Sequence, residues 1–235
     1  MKYVRYGAIA LITFVILAGI AVPTVRTPQG LFEFPSIPGL GQKSRNIFFH
    51  VPVAWTTVVA FLVSMYYGFR YLRTRDMDFD VKSVSSAGLG FMFCFLATVT
   101  GSVWAKFNWG EFWNWDPRET SIFILLLIYA AYFALRSSLD NEELKARLSA
   151  VYSLVAGLTV PFFIFVMPRI MTGLHPGAAG DVEGKGPVLE FKMSGNMLFV
   201  FFMGLIGFNL LYVWMLDLRV RAAKLDYSQL LKQSK

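Results

Sequence analysis

The chain of 235 residues contains only two histidines, His50 and His175, and places three of its six tryptophans in one short segment, WGEFWNWD at residues 109–116. A neutral imidazole is a common metal ligand in proteins. Indole rings offer flat apolar faces on which another ring can stack. These residue types together favour a ligand that is both aromatic and metal-containing.

Interfacial packing is the alternative explanation for the tryptophans. Tryptophan is enriched where membrane helices meet water, which would account for one or two residues at a helix end, such as Trp104. It accounts less well for Trp109, Trp113 and Trp115 within seven positions. Trp109 and Trp113 are four apart and would share a helix face, whereas Trp115 would not.

The polar residues that follow the tryptophans also have a structural explanation. Asp116-Pro117-Arg118-Glu119 has the order of an N-cap, a proline at the first helical position and a glutamate at the third. This order predicts a capping box that opens a helix. A capping role for Asp116 and Glu119 does not exclude a second role at a binding site.

The composition indicates a membrane protein. Hydrophobic residues make up 56% of the chain and charged residues 16%, whereas soluble domains are about a quarter charged. The sequence predicts a single all-α integral membrane domain, residues 1–235. Its first span could be a signal peptide, since Lys2 and Arg5 precede it, but the long and continuous apolar run favours a retained anchor. Six segments reach the length of about 20 apolar residues that a bilayer span requires: about 6–22, 48–69, 83–105, 119–136, 148–167 and 194–216.

The distribution of Lys and Arg predicts the orientation of these spans. The two termini with residues 70–82 and 136–147 carry 14 Lys and Arg, whereas residues 23–47, 106–118 and 168–193 carry 8. Lys and Arg concentrate in cytoplasmic loops, so both termini are predicted to be cytoplasmic and the other three loops to face outward. The first and third outer loops are rich in Pro and Gly, and we expect them to be irregular and mostly non-helical.

This topology brings His50, the tryptophan-rich outer segment 106–118 and His175 to one membrane surface. Two histidines with no cysteine or carboxylate beside them in sequence make a poor closed zinc site. Two imidazoles with a broad aromatic surface suit haem, which takes axial ligands above and below its ring. Three cations on the same predicted side could pair with its propionates: Arg45, Arg118 and Arg169.

A family resemblance rests on the same residues. Trp109-Gly110-x-x-Trp113-x-Trp115-Asp116 is similar to the WGxxWxWD signature, or WWD domain, of the haem-handling proteins of cytochrome c maturation. Over nearly its whole length the chain resembles the six-span haem exporter protein C family, including a His-Val-Pro at 50–52 and a Leu-His at 174–175. The resemblance implies axial haem ligation by His50 and His175, and a haem platform formed by the signature residues Trp109, Gly110, Trp113, Trp115 and Asp116.

The resemblance also implies a function. A protein of this kind binds haem b at the periplasmic face of the bacterial cytoplasmic (inner) membrane and delivers it to a covalent haem chaperone, the E component. It works with the A and B components of an ABC transporter and a small D component, and it is a haem-transfer protein rather than a conventional enzyme. No nucleic-acid role is expected, because the net charge of +7 reflects the placement of Lys and Arg along a membrane.

Two alternatives remain open at this stage. The continuation DPRET resembles the larger cytochrome c synthase subunits of the same superfamily, which carry a further pair of histidines within their spans. This chain has no histidine left for such a pair. A membrane b-type cytochrome for electron transfer is the other alternative, although such proteins usually hold haem between helices at membrane depth.

Overall fold

The computed structural model describes residues 1–28, 30, 33–37, 40–175 and 195–233. Most of the predicted third outer loop, from residue 176 onward, lies outside these residues. The described part of the chain forms helices α1 (Lys2–Ala21), α2 (His50–Thr74), α3 (Met77–Trp109), α4 (Pro117–Ser137), α5 (Glu142–Pro161), α6 (Met167–Ile170) and α7 (Gly195–Gln233). Among these residues, six helical segments are long and apolar enough to cross a membrane, which confirms the predicted number of such helices.

Helix α3 extends beyond its apolar segment, and the polar residues at its start are paired. The helix α3 begins at Met77, where the side chain of Asp76 accepts the Asp78 N–H at 2.9 Å and caps the helix. One turn later, buried Asp80 forms a bidentate pair with Arg136 of α4, with both N–O distances 2.7 Å. These residues are polar, so a hydropathy profile leaves them out of the span. In the fold, their charges and hydrogen-bonding groups are paired.

Close packing between helices depends on small residues and stacked rings, as is usual in membrane bundles. A Cβ at Gly90 of α3 would lie 2.5 Å from the Phe61 ring of α2, so glycine lets the two helices approach. The Phe61 ring stacks on Tyr129 of α4, with centroids 3.5 Å apart. Helices α2, α3 and α4 therefore form one packed unit, and the candidate site lies at one end of it.

The predicted first outer loop, residues 23–47, is more ordered than its Pro and Gly content indicates. It contains two short parallel strands, β1 (Thr24–Val25) and β2 (Phe34–Pro35), and a 3-10 helix at Gly41–Phe48. The described residues of this loop before Gly41 are not helical, as expected, whereas the 3-10 helix at its end buries Phe48 completely and presents Arg45 to the end of α1. The guanidinium of Arg45 donates to the carbonyl oxygens of Gly19, Ile20 and Val22. Carbonyl groups at the end of a helix have no backbone N–H partner within the helix, so Arg45 satisfies them.

Candidate functional site

A cavity of roughly 370 Å³ lies where α2 and α4 begin and α3 and α6 end. Its size falls within the range of small-molecule sites. Its lining is mostly apolar, with a few polar groups. Among the lining residues are His50, Trp55, Gly101, Trp104, Trp113, Arg118, Glu119, Phe163, Phe165, Arg169 and His175.

His50 is held against α3. It is the first residue of α2, and its Nδ1 lies 3.0 Å from the Thr100 hydroxyl oxygen. A Cβ at Gly101 would lie 2.9 Å from His50 Cε1, so glycine at this position leaves room for the ring. The imidazole therefore has a fixed place on the cavity wall.

His175 is held by a carboxylate. Its Nδ1 lies 2.7 Å from Asp116 Oδ1, and the backbone N–H of Leu174 donates to Asp116 Oδ2 at 2.6 Å. A Cβ at Gly173 would lie 2.6 Å from the same Oδ2, so glycine allows the chain before His175 to come this close. Asp116 thus anchors both the ring and the backbone of the second histidine.

Asp116 is ionised at neutral pH. Burial of its carboxyl group favours the neutral form, but the hydrogen bond and charge of His175 oppose burial, as do the N–H groups of Arg118 and Leu174. Together they lower the pKa of Asp116 to about 2. A carboxylate is a hydrogen-bond acceptor only, so it receives the Nδ1–H of His175.

The predicted capping box is confirmed. Asp116 Oδ1 accepts the Arg118 N–H at 2.8 Å, and Glu119 Oε2 accepts the Asp116 N–H at 3.3 Å. Glu119 Oε2 also accepts the Asn114 N–H at 2.7 Å, which ties the tryptophan-rich segment to the first turn of α4. Asp116 therefore has the structural role that its sequence pattern predicts, in addition to its contact with His175.

Two tryptophans contact the His175 ring. The Trp104 ring stacks on it with centroids 6.0 Å apart, and the Trp109 ring meets it edge-on at 4.7 Å. Trp104 Nε1 also donates to the Lys43 carbonyl at 3.1 Å, which fastens the 3-10 helix to α3. The sequence suggests only an interfacial position for Trp104. It does not predict the contact with Lys43, because the two residues are far apart in sequence.

The tryptophans of the signature do not share a helix face. Helix α3 ends at Trp109 because Gly110 adopts a left-handed conformation with φ 89°. The prediction that Trp109 and Trp113 lie on one helix face was therefore wrong. Trp113 lines the cavity, whereas Trp115 is 70% exposed and meets Trp113 edge-on with centroids 5.9 Å apart.

The three predicted propionate partners occupy different places. Arg118 and Arg169 both line the cavity, and the Arg169 guanidinium donates to the Phe165 carbonyl. Arg45 does not belong to the lining, and its guanidinium lies against the end of α1, as described above. The positions of Arg118 and Arg169 therefore suit an anionic group in the cavity better than that of Arg45.

An irregular helical turn forms a further part of the cavity wall. Residues Phe162–Val166 form a π-helical stretch between Pro161 and Pro168, and Phe163 and Phe165 of this stretch line the cavity. Prolines have no N–H to continue an α-helical ladder, and π-helical turns are frequent at functional sites. The Phe165 ring packs on Trp55 with centroids 5.3 Å apart, which adds an aromatic surface to this wall.

The donor set favours two-histidine ligation over a closed metal site. Within the described ranges, no group of three or more His, Cys, Asp or Glu side chains is placed to hold a metal ion. Cys94 is buried and is not among the residues that line the cavity. Both histidines line the same cavity, and each uses Nδ1 for a hydrogen bond. Each ring therefore retains Nε2 as the nitrogen that could bind a metal.

Comparison with known proteins gives consistent results. A family model described as "Heme exporter protein C" matches residues 3–233. The chain is 31% identical to "Heme exporter protein C" of Bradyrhizobium diazoefficiens over 181 residues, which cover 73% of this chain and 69% of that protein. It is 28% identical to the protein of the same name from Paracoccus denitrificans, with coverage of 88% and 83%. It is also 30% identical to the "Putative cytochrome c biosynthesis ccmC-like mitochondrial protein" of Arabidopsis thaliana, with coverage of 59% and 52%.

Proposed function

The chain belongs to the haem exporter protein C family, and from that premise we propose that it binds haem b in the outer cavity and delivers it to a covalent haem chaperone. Membership of the family implies a role in haem export for cytochrome c biogenesis. The proposal adds the cavity in which haem binds, the residues that ligate its iron and the chaperone that receives it.

One observation carries the proposed ligation: both histidines of the chain line one cavity with Nδ1 already hydrogen-bonded. A ligating histidine almost always uses its second ring nitrogen in this way, which fixes the orientation of the ring. His50 and His175 would hold the haem iron through their Nε2 atoms. When bound, the iron would supply the Lewis acid that both imidazoles ligate.

The rest of the haem would meet the apolar and cationic walls. Trp113, Trp55 and Phe165 would contact the porphyrin faces or edges, since flat rings favour stacked or edge-on contacts. Arg118 and Arg169 line the cavity and would pair with the propionates through charge-assisted hydrogen bonds. Trp109 would act through His175, which it touches edge-on.

Delivery requires access from outside, and the exposed part of the signature segment is suited to it. Phe112 and Trp115 are 57% and 70% exposed at the cavity end of the molecule. We propose that this surface receives the haem chaperone at the periplasmic face of the inner membrane. The ABC transporter components A and B and the small D component would then release the loaded chaperone.

The proposal is tested by the haem content of the purified protein. Wild type should show a Soret band, and His50→Ala and His175→Ala should each lower the haem-to-protein ratio and alter that band. A Trp214→Phe variant, which changes an aromatic residue of α7 outside the cavity lining, should match wild type. A wild type that binds no haem, or histidine variants with unaltered haem content and spectrum, would contradict the proposal.

A further inference from the structure

Thr100 is a residue that neither its sequence context nor the signature motif singles out. It lies in α3, ten residues before Gly110, and its hydroxyl oxygen is 3.0 Å from His50 Nδ1. The hydroxyl oxygen also lies 2.8 Å from the Leu96 carbonyl oxygen and 3.3 Å from that of Ala97. The contact with His50 therefore belongs to a short chain of hydrogen bonds along α3.

The donors in this chain determine the tautomer of His50. A threonine hydroxyl has one hydrogen, and a backbone carbonyl only accepts. The Leu96 carbonyl oxygen, at 2.8 Å, is a closer acceptor for the hydroxyl hydrogen than His50 Nδ1 at 3.0 Å. A hydroxyl that donates to Leu96 accepts a hydrogen from His50, and in that arrangement Nδ1 carries the proton and Nε2 carries the lone pair.

We propose that Thr100 is a positioning residue that fixes His50 as the Nδ1–H tautomer and presents its Nε2 to haem in the cavity. The inference rests on the proposed haem-binding function. It extends that function, because it assigns to one hydroxyl the orientation and proton placement of the first axial ligand.

The partners of the two histidines also differ in kind. His175 Nδ1 faces the Asp116 carboxylate at 2.7 Å, whereas His50 Nδ1 faces a neutral hydroxyl at 3.0 Å. A charged acceptor draws the Nδ1 proton more strongly and makes Nε2 a better electron donor. His50 is therefore the weaker donor of the pair, and loss of its hydroxyl partner weakens it further.

The experiment compares Thr100→Val, which keeps the shape and removes the hydroxyl, with Thr100→Ser, which keeps the hydroxyl. Thr159→Val is the matched control, because the Thr159 hydroxyl also donates to a carbonyl within its own helix, that of Ala156 at 2.7 Å, and the residue does not line the cavity. Each protein is purified in detergent, loaded with haem and assayed for haem affinity, Soret spectrum and reduction potential.

Thr100→Val should bind haem about tenfold more weakly, the effect typical of losing a partner of a metal-ligating histidine. Its reduction potential should rise, because a weaker donor stabilises ferric iron less, and Thr100→Ser should restore both properties. An unchanged affinity and potential in Thr100→Val, or a Thr100→Ser variant as impaired as Thr100→Val, would overturn the positioning role. Failure of the haem-binding function itself appears differently, as a wild type that takes up no haem.

Discussion

The Asp116 carboxylate lies 2.7 Å from the Nδ1 atom of His175, while the same side chain caps helix α4 by accepting the Arg118 N–H at 2.8 Å. One residue thus fixes the start of a helix and the orientation of a histidine 59 positions later. The structural and binding roles that the sequence leaves as alternatives for Asp116 are therefore carried out by one carboxylate, whose Oδ1 both caps the helix and faces the ring, while Oδ2 accepts the Leu174 N–H.

Asp116→Asn should separate these roles. Asparagine caps a helix nearly as well as aspartate, but it offers one acceptor oxygen where Asp116 uses both. An asparagine that keeps its oxygen in the place of Oδ1 keeps the cap and the ring contact, but it loses the acceptor for the Leu174 N–H and the negative charge beside His175. We expect near-normal protein level in the membrane with haem affinity reduced about tenfold.

The control for this variant is Asp76→Asn. Asp76 caps α3 through the Asp78 N–H at 2.9 Å and lies at the opposite end of that helix from the site. It should keep both protein level and haem affinity. Equal losses in the Asp76 and Asp116 variants would assign the effect of Asp116→Asn to capping alone.

Gly101→Ala should impair haem binding without destabilising the fold. Alanine is the better helix former by about 1 kcal/mol, but its Cβ would lie 2.9 Å from His50 Cε1 and force the ring to move. Haem affinity should fall while the thermal unfolding midpoint stays the same or rises. Gly7→Ala in α1, whose Cβ would meet only a flexible leucine end at 3.3 Å, serves as the control. An unchanged Soret band in Gly101→Ala would show that haem binding does not depend on the observed position of the His50 ring.

The sequence predicts the spans of this protein better than its site. Long apolar runs define the six helices because the bilayer requires such runs, and Asp116-Pro117-Arg118-Glu119 predicts the start of α4 through local capping. The contacts of His175 with Trp104 and Asp116 join distant parts of the chain, so no local pattern predicts them. The failed helix-face prediction for Trp113 has a local cause, the left-handed Gly110. Glycine permits that conformation without requiring it.

Trp113 and Trp115 should have different effects when replaced. Trp113 lines the cavity, so Trp113→Ala should lower haem retention. Trp115 is 70% exposed, so Trp115→Ala should retain haem and lower the yield of the covalent haem–chaperone adduct. Both variants should reach near-normal membrane levels, because helix packing rather than this loop holds the bundle together.

The measurements for the tryptophan variants are haem per protein, adduct per protein and membrane level, with Trp214→Ala as the control for loss of an indole. If both variants lose protein and adduct in the same proportion, the segment supports the fold rather than haem transfer. If Trp115→Ala loses haem as severely as Trp113→Ala, the proposed division between cavity wall and docking surface is wrong.

The orientation of the site can be tested with single cysteines, because the native Cys94 is buried and should not react. Glu111 and Asp140 are both exposed; Glu111 lies in the tryptophan-rich segment and Asp140 in the turn between α4 and α5. The Lys and Arg distribution predicts that the first faces outward and the second the cytoplasm. A membrane-impermeant maleimide should therefore label Glu111→Cys in intact spheroplasts and Asp140→Cys only after lysis, while wild type stays unlabelled.

Since one span separates the two positions, one cysteine should be labelled in intact spheroplasts and the other only after lysis, whichever way the protein is oriented. The reverse pattern would place the cavity at the cytoplasmic face, where it could still bind haem but could not deliver it to a periplasmic chaperone.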